Sequence, residues 1–171
     1  AAAGHCVLLH GRDQAKLTSA QAEIVATTNS KIGCKLYGYL ADLSQLSQVE
    51  ALAESVVSNH HKLDILINNA GVLKVSTARA SNGIDARFMI NTIASYLLTK
   101  RLLPLLDKTG RVINVTSAAQ ASVNLAALCG AGPQLETMDA YSQSKLALIM
   151  WSRHLANSST ASYTKFQVGS T

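Results

Sequence analysis

Tyr141 and Lys145 stand four positions apart in the stretch Ala140-Tyr141-Ser142-Gln143-Ser144-Lys145-Leu146-Ala147, so on a helix a phenol and an ammonium share one face. A phenol with a reference pKa of about 10 keeps its proton at neutral pH, and a nearby cation favours its ionised form. The pair is a candidate for moving a proton; the plainer reading is a surface pair. Other polar residues follow apolar runs: Gly11-Arg12 after the first, Ala41-Asp42-Leu43 after the second, Asn68-Asn69-Ala70-Gly71 after the third and Ser117 after the fourth. In an open parallel sheet these are the places where ligands bind, beyond the carboxyl ends of the strands. Asn91 interrupts an apolar helical stripe, a costly position for an amide unless it is paired.

The elements that must position these groups alternate. Ala1 to His5 reads as the last turn of a helix closed by Gly4, and Cys6 to Leu9 as a short buried strand. Asp13 is placed to cap a helix carrying Leu17, Ala20 and Ile24, and Lys35 to Leu40 reads as a second strand. Ser47-Gln48-Val49-Glu50 has the capping-box pattern ahead of Leu52, Ala53 and Val56. Leu63 to Ile67 is a third strand. A long helix is expected from about Asn82 to Leu106, with Ile84, Phe88, Asn91, Ser95, Leu98, Leu102 and Leu105 inward and Pro104 ending or kinking it. Val112 to Thr116 is a β-branched strand, followed by a loop through Gly130-Ala131-Gly132-Pro133, whose glycines read as a turn. A last helix begins near Asp139 and carries Leu146, Ile149 and Leu155. Short strands, apolar on both faces and alternating with helices, predict an α/β class with a doubly wound parallel sheet.

Composition narrows the function. The 171 residues are 48% apolar, enough for one domain to bury about 70% of its unfolded surface. The 15 Lys+Arg against 10 Asp+Glu are scattered, so no basic stripe tracks a phosphate backbone and nucleic acid is not an expected partner. Cys6, Cys34 and Cys129 form no C-x-x-C pair, which suggests reduced thiols and a cytoplasmic setting. His60-His61 lacks the partners of a zinc site, so no metal is expected. No apolar run reaches the roughly 20 residues of a membrane span. Two N-x-[ST] matches, at Asn114 and Asn157, mean nothing without secretion.

Taken in order, N-N-A-G after a strand, N-x-x-S at the end of the next and Y-x-x-x-K opening a helix resemble the short-chain dehydrogenase/reductase family over roughly residues 1–157. The Tyr141 stretch and its distance from Ser117 are similar to the retinol-dehydrogenase-like and WW-domain-oxidoreductase-like branch. The resemblance implies a Rossmann-like fold and reversible hydride transfer between a nicotinamide and a carbonyl or alcohol. Tyr141 would be the general acid/base, its phenolate favoured by Lys145 and the oxidised nicotinamide; a shift of three units requires about 4 kcal/mol. Ser117 would hold the substrate oxygen, Lys145 would also bind the nicotinamide ribose, and Asn91 would complete the tetrad through a water relay. A satisfied core amide for Asn91 and a strand-end cap for Ser117 are the alternatives. On the cofactor side, Gly11 occupies the slot where NAD users carry an acid, and Arg12 follows, favouring NADP over NAD. Asp42 and Leu43 match the adenine-contacting position, and Asn69, Ala70 and Gly71 lie beneath the adenosine. A solvated loop for Arg12 and a helix cap for Asp42 stay open.

Two departures accompany the resemblance. The T-G-x-x-x-G-x-G turn that holds the pyrophosphate does not occur, and the first, central strand is missing with it. The tail 158–171 is atypical and replaces the further strands. The expectation is a single partial dinucleotide-binding domain over 1–171, a fragment with four strands, a gap between the first and third and exposed apolar faces. The expected partner is a small carbonyl or alcohol, apolar to judge from Ala119, Ala121, Val123, Leu125, Ala126 and Leu128. A homo-oligomer paired through the helices of Asn91 and Tyr141 is compatible with the family. The alternative is a non-catalytic relative or inactive fragment that keeps the nucleotide-binding scaffold.

Overall fold

The structure, a computed structural model, describes residues 1, 3–27, 35–158 and the backbone of 165–170. Cys34 lies outside the described residues. The chain divides into two compact units, Ala1–Leu43 and Ser44–Thr171.

The first unit is a β-α-β element. Strand β1 (Val7–Gly11) leads into helix α1 (Gln14–Thr27) and returns as β2 (Leu36–Leu40), with the strands parallel and Val7 opposite Leu36. The Asp13 carboxylate accepts the Lys16 N–H at 3.0 Å, the cap its position predicts. Of the three residues expected inside, Leu17 is buried, Ile24 half-buried and Ala20 exposed. Gly4 has φ +80° and its N–H bonds to the Ala1 carbonyl, so the first residues form a turn closed by glycine.

The second unit carries α2 (Leu46–Asn59), β3 (Leu63–Asn68), β4 (Leu106–Thr116), α6 (Thr137–Asn157) and β5 (Lys165–Ser170), with α3 (Ala86–Phe88), α4 (Ser95–Leu102) and α5 (Leu125–Leu128) between them. Its sheet has the order β3-β4-β5, all parallel. Among the described residues β3 pairs with β4, and β1 and β2 form the sheet of the first unit. The tail was expected to hold no strand; instead 165–170 extend the sheet beyond β4.

On β4, Gly110, Val112, Asn114 and Thr116 are buried in alternation, while Ile113 and Val115 are half-buried. Helix α6 packs against β4. Its buried face runs through Ala140, Ser144, Leu148, Ser152 and Leu155, whereas Leu146 and Ile149, expected inside, are half-buried. Two serines lie on this face because each meets a buried amide, Ser152 that of Asn114 on β4 and Ser144 that of Asn91.

The long helix differs from expectation at its start. Residues 78–85 form a tight hairpin, with Arg79 bridged to Asp85 and Gly83 at φ +82°, a conformation that suits glycine. The Asp85 carboxylate then accepts the Arg87 N–H at 2.8 Å and starts α3. A π-helical turn, Met89–Ala94, joins α3 to α4, and Pro104 lies in a closing 3₁₀ turn, Leu103–Leu105. The capping box at Ser47 is also not formed. Helix α2 starts after Gln45 with no side-chain cap, and Glu50 pairs with Arg101 of α4 at 2.6 and 2.7 Å instead.

Candidate active site

Tyr141 and Lys145 open α6 on one face, as the i,i+4 spacing requires: Lys145 Nζ lies 5.8 Å from the Tyr141 ring centroid, within cation–π range. The ammonium is buried and donates to the Val115 carbonyl at 2.9 Å. Burial pushes its pKa below the ordinary lysine value. Val115 lies two residues before Ser117, so one hydrogen bond ties the cation to the strand end that carries the serine. Ser117 is half-buried and its Oγ accepts the Ala119 N–H at 3.2 Å. That bond is the strand-end cap weighed as the plain alternative, and it leaves the hydroxyl proton available.

Gly71 explains how a bulky cation fits here. A Cβ on Gly71 would stand 3.1 Å from Lys145 Nζ and 3.5 Å from Asn91 Oδ1. The loop after β3 therefore passes directly over the ammonium because it has no side chain at this point. Asn69, Ala70 and Gly71 are exposed at this end of β3.

Asn91 sits in the π-helical turn and is 1% exposed. Its Oδ1 accepts the Val72 N–H at 2.8 Å, and its Nδ2 donates to the Val72 carbonyl and to Ser144 Oγ, both at 3.0 Å. Both amide protons are spent on protein acceptors, so the side chain braces the loop after β3 against α6. Ser144 Oγ in turn donates to the Tyr141 carbonyl at 2.7 Å, and Thr92 Oγ1 donates to the Ser144 carbonyl at 2.8 Å. Thr92 and Ser144 were not singled out by sequence reasoning. The available signal was two small hydroxyl residues on helix faces expected to be buried.

A second polar chain lies beneath the first. Asn68 Nδ2 donates to Thr99 Oγ1 at 2.9 Å and to Asn114 Oδ1 at 2.7 Å; Asn114 Nδ2 donates to Ser152 Oγ at 2.7 Å, and Ser152 Oγ to the Leu148 carbonyl at 2.6 Å. All four side chains are buried. Neighbouring strands place Asn68 opposite Asn114, so the chain cross-links α4, β3, β4 and α6 under the site. At 0% exposure, Asn114 is no glycan acceptor.

The residues between Ser117 and Tyr141 are held from two sides. Gln143 Oε1 accepts the Asn124 N–H at 2.9 Å, and Gln134 Nε2 donates to Asp85 Oδ2 at 2.7 Å. Leu125 is 68% exposed on this loop. In the first unit, Arg12 is exposed, Asp42 half-buried and Leu43 buried. Among the described residues no group of three or more His, Cys, Asp or Glu could hold a metal, and no helix is long and apolar enough to cross a membrane.

The family model for short chain dehydrogenases matches residues 1–165. Mouse retinol dehydrogenase 12 is 34% identical over 158 residues, which are 90% of this chain and 48% of that protein. Human retinol dehydrogenase 13 is 29% identical over 158 residues, 90% of this chain and 46% of its own length. The chain thus spans about half the length of these curated relatives. Among solved structures, a metagenomic short-chain oxidoreductase in complex with NADP superposes with a TM-score of 0.71 at 25% identity, covering 96% of this chain and 70% of that one. The NADP complex of Pseudomonas aeruginosa RhlG superposes with a TM-score of 0.69 at 26% identity, covering 95% and 60%. With a family match across nearly its whole length and a phenol, ammonium, serine and amide in the family's order, the chain belongs to the short-chain dehydrogenases.

Proposed function

We propose that the protein bearing this chain is an oxidoreductase that uses NADP(H) to interconvert a carbonyl and an alcohol, with Tyr141 as general acid/base. The observation that carries this reading is the buried Lys145 ammonium 5.8 Å from the Tyr141 ring. A buried cation at that place stabilises the negative charge the phenol carries whenever it gives up its proton. In the reductive direction Tyr141 donates that proton to the alkoxide oxygen; in the oxidative direction it takes the proton from the alcohol. Ser117 Oγ holds the same substrate oxygen. Asn91 and Ser144 fix the turn that bears the phenol and the cation, and a second lone pair on Asn91 Oδ1 could accept from a relay water.

When bound, a nicotinamide dinucleotide supplies the hydride. In the second unit Lys145 Nζ would bind the ribose of its nicotinamide end. The exposed Asn69, Ala70 and Gly71 would lie beneath the adenosine. On the adenosine side, Arg12 would pair with the 2′-phosphate, with Asp42 and Leu43 toward the adenine, which favours NADP over NAD. The NADP in the two solved relatives supports the same choice. Exposed Leu125 and the retinol and polyprenol named in curated relatives support an apolar substrate.

The test is isotopic. The protein is incubated with NADPH deuterated at the transferable position and a medium-chain aldehyde, and the alcohol is analysed by mass spectrometry. Alcohol carrying one deuterium on its carbinol carbon supports the reading. Cofactor binding without labelled product supports the alternative, a scaffold that keeps the nucleotide site without catalysis.

A further inference from the structure

The loop between Ser117 and Tyr141 is fastened at its centre by a residue outside the tetrad. The Arg79 guanidinium donates from Nη1 to the carbonyls of Gly83 at 2.5 Å and Gly130 at 3.4 Å, and from Nη2 to that of Gly132 at 3.0 Å. All three acceptors are main-chain oxygens, one in its own hairpin and two more than fifty residues along the chain. The glycines make the contact possible. Gly130 has φ +76° and a Cβ there would lie 3.3 Å from the Gly83 backbone, while a Cβ on Gly132 would stand 2.6 Å from the Ala127 nitrogen. Gly130-Ala131-Gly132 is thus more than a plain turn: it is a pair of carbonyls presented to a cation.

We propose that Arg79 is a positioning residue for substrate selection: it staples the Gly130–Gly132 turn to the Gly83 hairpin and so fixes the shape of the loop that leads from Ser117 to Tyr141. The planar fork matters. One guanidinium reaches several carbonyls in a fixed geometry, whereas a lysine ammonium is a single mobile point charge. A second contact, Gln134 to Asp85, holds the following residue pair to the same hairpin. The loop's apolar residues, Leu125 and Leu128 among them, then face a substrate as a set shape. Fixed geometry discriminates between substrates; a loose loop admits all of them. The inference rests on the hydride-transfer reading above.

The experiment compares wild type with Arg79→Met and Arg79→Lys. It reads amide hydrogen exchange over residues 124–132 and steady-state kinetics with NADPH and two aldehydes, one short and one long. Arg79→Met is expected to speed exchange in this segment by about tenfold or more. Its KM for the preferred aldehyde rises about five- to tenfold, while KM for NADPH and kcat stay within about twofold, the signature of lost substrate positioning. Preference between the two aldehydes narrows, and Arg79→Lys falls between wild type and Met. Should the Met variant fail to fold, the Lys variant carries the same comparison. Unchanged exchange, an equal rise in KM for NADPH, or unaltered preference in a protein that turns over normally overturns the inference alone. Absence of turnover in wild type sinks the hydride-transfer reading, and the selectivity role falls with it.

Discussion

At the residue scale, the site depends on a cation kept where water is scarce. Burial lowers the Lys145 pKa, so the native state binds this proton more weakly than the unfolded chain does. From the ordinary lysine value down to the lowered one, the unfolded chain holds more protons, and stability rises with pH through that window. Below it both states are charged and the full cost persists. Lys145→Met therefore leaves Tm at neutral pH unlowered while abolishing turnover, and the wild type gains on the variant as pH climbs toward about 10. Thermal unfolding at neutral and alkaline pH checks this; a large drop in Tm for the variant at neutral pH contradicts it. Gly71 gives a companion prediction. The Cβ of Gly71→Ala would stand 3.1 Å from Lys145 Nζ, so the ammonium must shift by a few tenths of an ångström. Turnover is expected to fall about tenfold, with little change in Tm. Of the candidate site, Tyr141, Lys145, Ser117 and Asn91 could be singled out in the sequence because their types and order are distinctive. Ser144 and Thr92 were not, since a serine inside a helix looks the same whether it faces solvent or a buried amide.

At the element scale, the buried chain Thr99-Asn68-Asn114-Ser152 locks two helices to two strands. Asn114→Ala strands a donor on Asn68 and removes the donor to Ser152, each without access to water. The expected loss is about 2–3 kcal/mol, seen as a lower midpoint in urea with an unchanged slope. A loss too small to resolve would mean that the chain does not brace the elements. The strands were readable because each apolar run is short and bounded by turn residues, but β4 begins at Leu106, where the helix was expected to end, and not at Val112. The start of the long helix was not, because Ile84 continues the apolar period into a hairpin that Gly83 and Asp85 create. The capping box failed for a related reason: Glu50 has a stronger bidentate partner in Arg101 than a backbone amide. The π-helical turn has no sequence signature at all, and it is what places Asn91.

At the scale of the whole molecule, the α/β class follows from the alternation of strands and helices. The tail strand was missed because its residues are polar and lack β-branched runs. Ile65 and Ile67 share one face of β3 and are 49% and 58% exposed, an apolar face open to association. Ile67→Thr should reduce light scattering on concentration while changing stability by less than about 0.5 kcal/mol; unchanged scattering would mean that this face is covered in solution. The phenol beside a buried ammonium is tested most directly by carbonyl reduction in wild type and Tyr141→Phe, with NADPH affinity followed in parallel by fluorescence. A fall in turnover of about 10²- to 10⁴-fold at unchanged NADPH affinity is the expected result. Turnover in the phenylalanine variant within about threefold of wild type would contradict Tyr141 as the proton donor.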